Sequence, residues 1–464
     1  MNEGEEMQRI DISKVVFLSL ITVTVVGAAF MAGLYSGVRE NLVYEFVRNV
    51  KVTLEEAVTT AVNEIPTLTG TPVWHLQPAR HDGDGVTINE TMDDSNVLLS
   101  GFFDNGNAIR LIRRDGSIVA HWPVSFLNLF PEYEGVYGRP ATDWNVDTHG
   151  ALILPDGSVV FNFEYNGLVK LDRCGRLVWT LEKPTHHSVE VAEDGGFWVP
   201  STRQITADDV PQYPPFTTPY FEDSIMKVSE EGEVLLETGV VGIFYANGLE
   251  AILTATGESI PANWDWDREV VHLNKIAELK RSMSADFPAF AAGDLLLSIR
   301  ELNMLVVVDP LTEQVKWWKI GPWIRQHDPE FKEGGTISVF NNNIYKSAFG
   351  IDNPYDTSNP WIPRVSNIME IDPVTEVHHV VYGGKKDMEF LSIIRGDHEL
   401  TPRGGLLITE FEAGRVFETA SDGRVIWEFI NRYDDEHVAE IQGARLYPSE
   451  YFEVSDWSCK EAGR

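Results

Sequence analysis

The chain has 464 residues, 43% of them hydrophobic and 11% aromatic, enough for a substantial core in one large domain or two ordinary ones. The formal net charge is −34, from 71 acidic and 37 basic residues, so a nucleic-acid partner would be repelled and none is expected. Only two cysteines occur, Cys174 and Cys459, too few for a disulfide scaffold.

Residues 1–14 read as a short acidic tail. Residues 15–37, "VVFLSLITVTVVGAAFMAGLYSG", form an uncharged apolar run long enough to cross a bilayer. The segment before it is net acidic, unlike the basic start of a signal peptide, so an uncleaved transmembrane helix is expected. The short N-terminal flank makes N-in, C-out the simplest topology, although Arg39, Arg48 and Lys51 after the span weaken that argument. The rest of the chain would then lie on the periplasmic or another non-cytoplasmic side. Residues 38–65 place Val43, Val47, Val50, Leu54, Ala57 and Ala61 at 4-3-4-3-4 spacing. This juxtamembrane helix either pairs copies into a homo-oligomer or packs on its own domain. Pro66 ends it, and 66–93 read as a linker.

From 94 to 456 a unit repeats: strand, Asp/Gly turn, strand, polar loop, strand, turn, and a fourth strand often carrying Trp. The fourth strands include "RLVWTL", "QVKWWKI" and "RVIWEFI". Six units are counted, each alternating apolar and polar residues with period two. One such unit cannot bury both faces, whereas six arranged radially can, so the expected fold is an all-β, six-bladed β-propeller. The first unit lacks a first strand and "GARLYPSEYFEV" near the end is a spare one, so the C-terminal strand is expected to close the ring. Closure would bring Cys459 towards the early blades, where it either pairs with Cys174 or stays an unrelated thiol. Insertions interrupt the repeat at 203–222 and 239–285, the second ending in a helical-looking "REVVHLNKIAELKRSMS"; 457–464 are a tail.

Four histidines mark the starts of first strands. His149, His187 and His327 precede the turn glycines Gly157, Gly195 and Gly335 by eight residues, and His398 precedes Gly405 by seven. Strand reversal returns the loop after each second strand to the same rim, bringing Asn166, Arg203, Arg300, Asn303, Asn341 and Arg415. The set reads as a histidine and arginine funnel at one channel mouth. His121, His378 and His379 fall on outer strands, and His75 and His81 precede the propeller. Nearby arginines would repel a cation, so no metal is expected; anion binding or nucleophilic catalysis on an anionic group fits better. On these residues His149, His398, Arg203 and Arg415 are candidates for substrate binding.

"THHSVEVAEDGGFWV", "HLNKIAEL" with "GDLLLSIRELN", "RQHDPEF" and "GDHELTPRGGLLITEFEAGRVFE", in that order, resemble the arylsulfotransferase family of six-bladed propellers. The resemblance spans about 94–455. It implies a sulfuryl group passing from an aryl sulfate to a phenol through a sulfurylated histidine, with no cofactor. It places catalytic residues at His187, His272, Arg300 and His327, with His327 as the nucleophile, and a substrate-binding residue at Asn274. The residues "KIAELKRSMSADFPAF" between Asn274 and Arg300 depart from the family's tighter spacing. Asp328 is either an imidazole-orienting residue or a turn former. The alternative function is a non-catalytic propeller, a binding or scaffold subunit of a membrane complex.

Overall fold

The computed structural model describes residues 75–459 except 134, 137, 215, 217, 255–269 and 345–364. The expected spans at 15–37 and 38–65 lie outside the described residues. Among the described residues, no helix is long and apolar enough to cross a membrane.

Six antiparallel sheets form the propeller. Blade 1 takes Asn96–Phe103, Gly106–Arg113 and Ile118–Pro123 from the start of the repeat and its innermost strand, Ile441–Tyr447, from the end. The register pairs Ala444 with Leu99 and Leu446 with Val97, which closes the ring as the spare strand predicts. Blades 2 to 6 follow in chain order, with first strands at Thr148–Ile153, Glu190–Val191, Leu273–Glu278, His327–Lys332 and His398–Leu400. Each pair of neighbouring blades shares a core. Leu98 and Ile109 meet Ile153 and Phe161 between blades 1 and 2, and Val97 meets Val416 and Trp427 between blades 6 and 1. Burial of these facing surfaces is the main force holding the ring together.

The segment expected as a linker is partly built into the propeller. Leu76–Pro78 pairs with His437–Ala439, and Gly85–Asn89 adds a fifth strand outside Val425–Ile430. Alternation in "GVTIN" is short and half-exposed, which hides a strand whose partner lies far away in sequence. The C-terminal segment is also docked: Trp457 packs on Trp122 with ring centroids 6.4 Å apart, and Cys459 forms a disulfide with Cys174. Such a staple across distant segments contributes about 2–4 kcal/mol.

The segment read as helical, "REVVHLNKIAELKRSMS", holds the first strand of blade 4. A bulge at Asn274 shifts the register between Leu273 and Lys275. Leu273 and Ile276 therefore face one core although three residues apart, which imitates a helical period. The insertion's helices come earlier, at Val240–Ala246 and Glu250–Leu253. The residues that depart from the family spacing form this strand and the turn after it, with a 3₁₀ segment at Ser284–Asp286 and Phe287 and Phe290 packed between blades 4 and 5. That turn sits at the rim opposite the histidines, so it leaves the histidine end undisturbed. The insertion at 203–222 extends a hairpin instead of forming a free loop, with Ile205 pairing Tyr220.

Candidate active site

Strand reversal brings the starts of the first strands and the ends of the second strands to one rim. His149 and His327 lie in first strands, His272 immediately precedes one, and His187 lies three residues before another. All four are buried, at 8%, 4%, 4% and 7% exposure respectively. His187 is the hub. Its ring centroid lies 4.6 Å from that of His149, 4.8 Å from His272 and 6.2 Å from His327. Gly150 permits this approach: at φ +52 a Cβ there would lie 1.9 Å from the His187 carbonyl oxygen.

The backbone here is held in uncommon conformations. Tyr165, His187, His272, Asn303, Arg325, Asp328 and Asn343 all have φ between 45 and 59. Left-handed non-glycine residues cost free energy and persist where the surroundings over-determine them, as functional sites often do. Local bonds supply that determination: Asn303 Oδ1 accepts the Arg325 N–H at 2.7 Å, and the Asn342 side chain donates to the Ser392 and Arg395 carbonyls at 3.0 and 2.8 Å.

The Asn342 bonds fix the chemistry of His327. With its amide nitrogen committed to carbonyls, Asn342 presents Oδ1 to His327 Nδ1 at 2.7 Å. Nδ1 must therefore carry the proton and Nε2 the lone pair. His327 Nε2 is buried and has no hydrogen-bond partner among the described residues. Burial, reinforced by the charge of Arg300, holds this imidazole well below the usual histidine range despite the bond it donates to Asn342.

The other imidazoles form a relay. His272 Nε2 lies 3.2 Å from His187 Nε2, His187 Nδ1 lies 2.8 Å from His186 Nδ1, and His186 Nε2 lies 3.1 Å from the Thr202 hydroxyl. Thr202 in turn donates to Asp223. Asp223 therefore terminates the chain as an acceptor and also accepts the Leu273 N–H at 2.6 Å, tying the relay to the start of blade 4. Burial and then neighbouring imidazoles push His187 well down. Glu164 accepts from His149 and lies 3.5 Å from His187 Nδ1. Burial raises this carboxyl, but His149 and then Arg395 outweigh it and keep Glu164 ionised. The ligand atoms of His149, Glu164 and His187 lie within 4.8 Å of one another, a spacing that would also suit a metal ion.

His149, His187, Asn274 and His327 line one chamber of the channel, with Lys275, Asp328, Asp397 and Arg445 along its far wall. Asn274 is turned aside by the bulge and donates to the Gln326 carbonyl at 2.9 Å, positioning the residue before His327. Arg300 follows the second strand of blade 4, its N–H bonded to the His272 carbonyl at 3.1 Å. One terminal nitrogen pairs with Glu301 at 3.1 Å, while its buried Nε has no partner among the described residues.

Three expected substrate-binding residues are placed elsewhere. Arg203 sits inside the long hairpin of blade 3, 51% exposed and paired with Glu222 at 3.2 Å. The extra strand length carries it beyond the rim. Arg415 begins the third strand of blade 6 and is held by Glu410 and Glu428 at 3.1 and 2.7 Å, over the ring of Phe417. His398 lines a second chamber, its Nε2 2.9 Å from Ser338 and its Nδ1 3.1 Å from Asp328. Asp328 thus orients His398, not the neighbouring His327. His75 is wholly buried, stacked on Phe102 at 4.3 Å and 3.3 Å from Asp147.

Sequence reading missed His186, Glu164, Thr202, Asp223, Asn342 and Lys275. The "HH" pair was a signal for His186, and "FNNN" for Asn342. Nothing local marks Asp223 or Lys275, which matter only because blades 3, 4 and 5 meet there.

A six-bladed propeller with buried imidazoles gathered in its channel defines the class. The match of residues 150–432 to the arylsulfotransferase (ASST) family assigns it: the chain belongs to that family. No curated protein is a significant match. Similar solved structures include a protein of unknown function from Bacteroides caccae, at 14% identity over 76% of this chain and 99% of that one, with a TM-score of 0.45. Another is selenomethionine-substituted virginiamycin B lyase from Staphylococcus aureus, at 11% identity over 80% and 98%, with a TM-score of 0.39.

Proposed function

We propose that this protein moves a sulfuryl group from an aryl sulfate to a phenolic acceptor through a sulfohistidine at His327. The observation that carries this reading is the unpartnered Nε2 of His327, whose lone pair is fixed by the Asn342 bond at Nδ1. An imidazole kept neutral by burial is a nucleophile at neutral pH. The lone pair attacks sulfur, the S–O(aryl) bond breaks, and the aryl oxygen leaves with its electron pair. In the second half-reaction the acceptor oxygen attacks sulfur, the S–N bond breaks and its pair returns to Nε2. The transferring group is anionic throughout, so in-line positioning and cationic support dominate. Arg300 supplies that support. His187 and His149, lining the same chamber, pass protons to and from the aryl oxygens.

Family membership supports this substrate class, and the resemblance of "RQHDPEF" to the family motif supports His327 as nucleophile. In this reading residues 15–37 anchor the chain and the propeller lies on a non-cytoplasmic side. The disulfide supports that setting, since such bonds persist in oxidising compartments. The heptad seam in 38–65 would pair copies at the membrane.

The test is incubation with 4-nitrophenyl sulfate and a panel of phenols, beside His327→Ala. The expected result is acceptor-dependent nitrophenol release, a sulfurylated His327 by mass spectrometry, and loss of at least about 10³-fold in the variant. No release with any acceptor and no labelled histidine would leave the propeller as a binding or scaffold subunit.

A further inference from the structure

Resting on that reading, the transfer leaves one proton unassigned. In the first half-reaction the departing aryl oxygen takes up a proton to leave as a phenol. In the second, the acceptor phenol loses one. The two cancel overall, but between them the site must give up a proton and later recover it. A neutral imidazole passes a proton on only if another group supplies it.

The groups around the chamber narrow the choice. The His149, His187 and His327 imidazoles are held neutral, with Nδ1–H of His149 and His327 committed to Glu164 and Asn342. Lys275 is caged by Glu190 and Asp328, each at 2.7 Å, and by Glu330 at 2.5 Å. Burial favours its neutral form, but Asp328 and then Glu190 outweigh this and hold the ammonium well above the usual range. Asp328 stays ionised between Lys275 and His398. Asp397 remains. It lines both the histidine chamber and the second chamber. Its Oδ2 accepts the Ala444 N–H at 3.3 Å, in a space that exists because residue 443 is glycine: a Cβ there would lie 2.8 Å from that oxygen. Its Oδ1 is buried with no hydrogen bond to any described residue.

We propose that Asp397 is the proton store of the transfer reaction, giving its carboxyl proton towards the departing aryl oxygen and recovering one from the acceptor. The groups facing it are Asp328, Lys275, Arg445, the Thr409 hydroxyl and, across the second chamber, Glu399. Burial and then the charge of Asp328 push Asp397 up to about 7, so it is protonated in an appreciable fraction at neutral pH. Asp328, Lys275 and Arg445 keep their charges across that range.

The test separates donors by their need for a proton. 4-Nitrophenyl sulfate leaves as a stable phenolate, whereas phenyl sulfate leaves well only when protonated. In single turnovers with the full-length protein, Asp397→Asn should slow aryl release from phenyl sulfate by on the order of 10²-fold and from 4-nitrophenyl sulfate by less than about 3-fold. The wild-type rate with phenyl sulfate should fall as pH rises through about 7, as expected for a required acid, and that fall should vanish in the variant. Asp397→Glu should keep it. Equal slowing of both donors, or an unchanged pH profile in Asp397→Asn with His327 still sulfurylated, would overturn this assignment alone. A wild-type protein that never sulfurylates His327 would overturn the parent reading and this inference together.

Discussion

The channel holds two chambers that share a wall, and burial resolves differently in each. The histidine chamber is built from imidazoles that avoid the cost of buried charge by staying neutral. The second chamber keeps charge by pairing it: Lys275 is surrounded by three carboxylates, and Arg445 reaches Glu190 at 2.5 Å and the Val189 carbonyl at 3.1 Å. Neutral buried groups keep lone pairs available for chemistry, whereas paired ones are locked. The first chamber is suited to reaction, and the second to holding blades 3, 4, 5 and 1 in register beneath it.

Breaking the second chamber has the largest expected effect on stability. Lys275→Met leaves the buried Asp328 and the partly exposed Glu330 without their cation and should cost about 3–5 kcal/mol in urea unfolding. Adding Asp328→Asn should recover part of that loss; strict additivity of the two would mean that the groups do not act as a pair.

In the first chamber, Asn342→Leu keeps the shape but frees the His327 tautomer. Transfer should fall by about 10–100-fold with folding retained, and restoring an amide with Asn342→Gln should recover part of it. Equal rates in wild type and Asn342→Leu would show that the Nδ1 bond does not set the nucleophile.

The histidine chamber also responds to acid. His187 and His327 have folded-state values depressed below 6.5, so the unfolded chain binds more protons as pH falls below that. Their contribution to stability is full above about pH 6.5 and is lost progressively as pH drops towards their folded values. His187→Gln should flatten this part of a stability-versus-pH curve, measured by urea unfolding. The same depression extends transfer activity below the ordinary histidine range, because His327 stays unprotonated there.

The smallest effect is expected away from both chambers. Arg203→Ala should change kcat/KM by less than about 2-fold, because the side chain is half-exposed on the blade 3 hairpin and reaches neither cavity. A larger loss would restore Arg203 to the substrate path.

Much of this was legible from the chain alone. Period-two alternation, turn glycines and a spare last strand determine six blades and their closure, because those signals are local and recur. The histidines at first-strand starts were legible for the same reason: a position fixed within a repeating unit is fixed on the rim. The failures share a cause. Arg203 and Arg415 were placed by counting from turns, but longer strands and local carboxylates carried them out of the channel. The first strand of blade 4 was hidden by its bulge, which gives strand residues a helical spacing.

What only the tertiary structure decided is which atoms are free. Asn342 choosing the tautomer of His327, Asp223 ending the imidazole relay, and Lys275 sitting among carboxylates from neighbouring blades all depend on groups far apart in sequence. A buried polar group's proton is set by its partners and its distance from water, and both are properties of the closed ring. The sequence places the histidines at one mouth; the packing of the blades decides that one of them keeps a free lone pair.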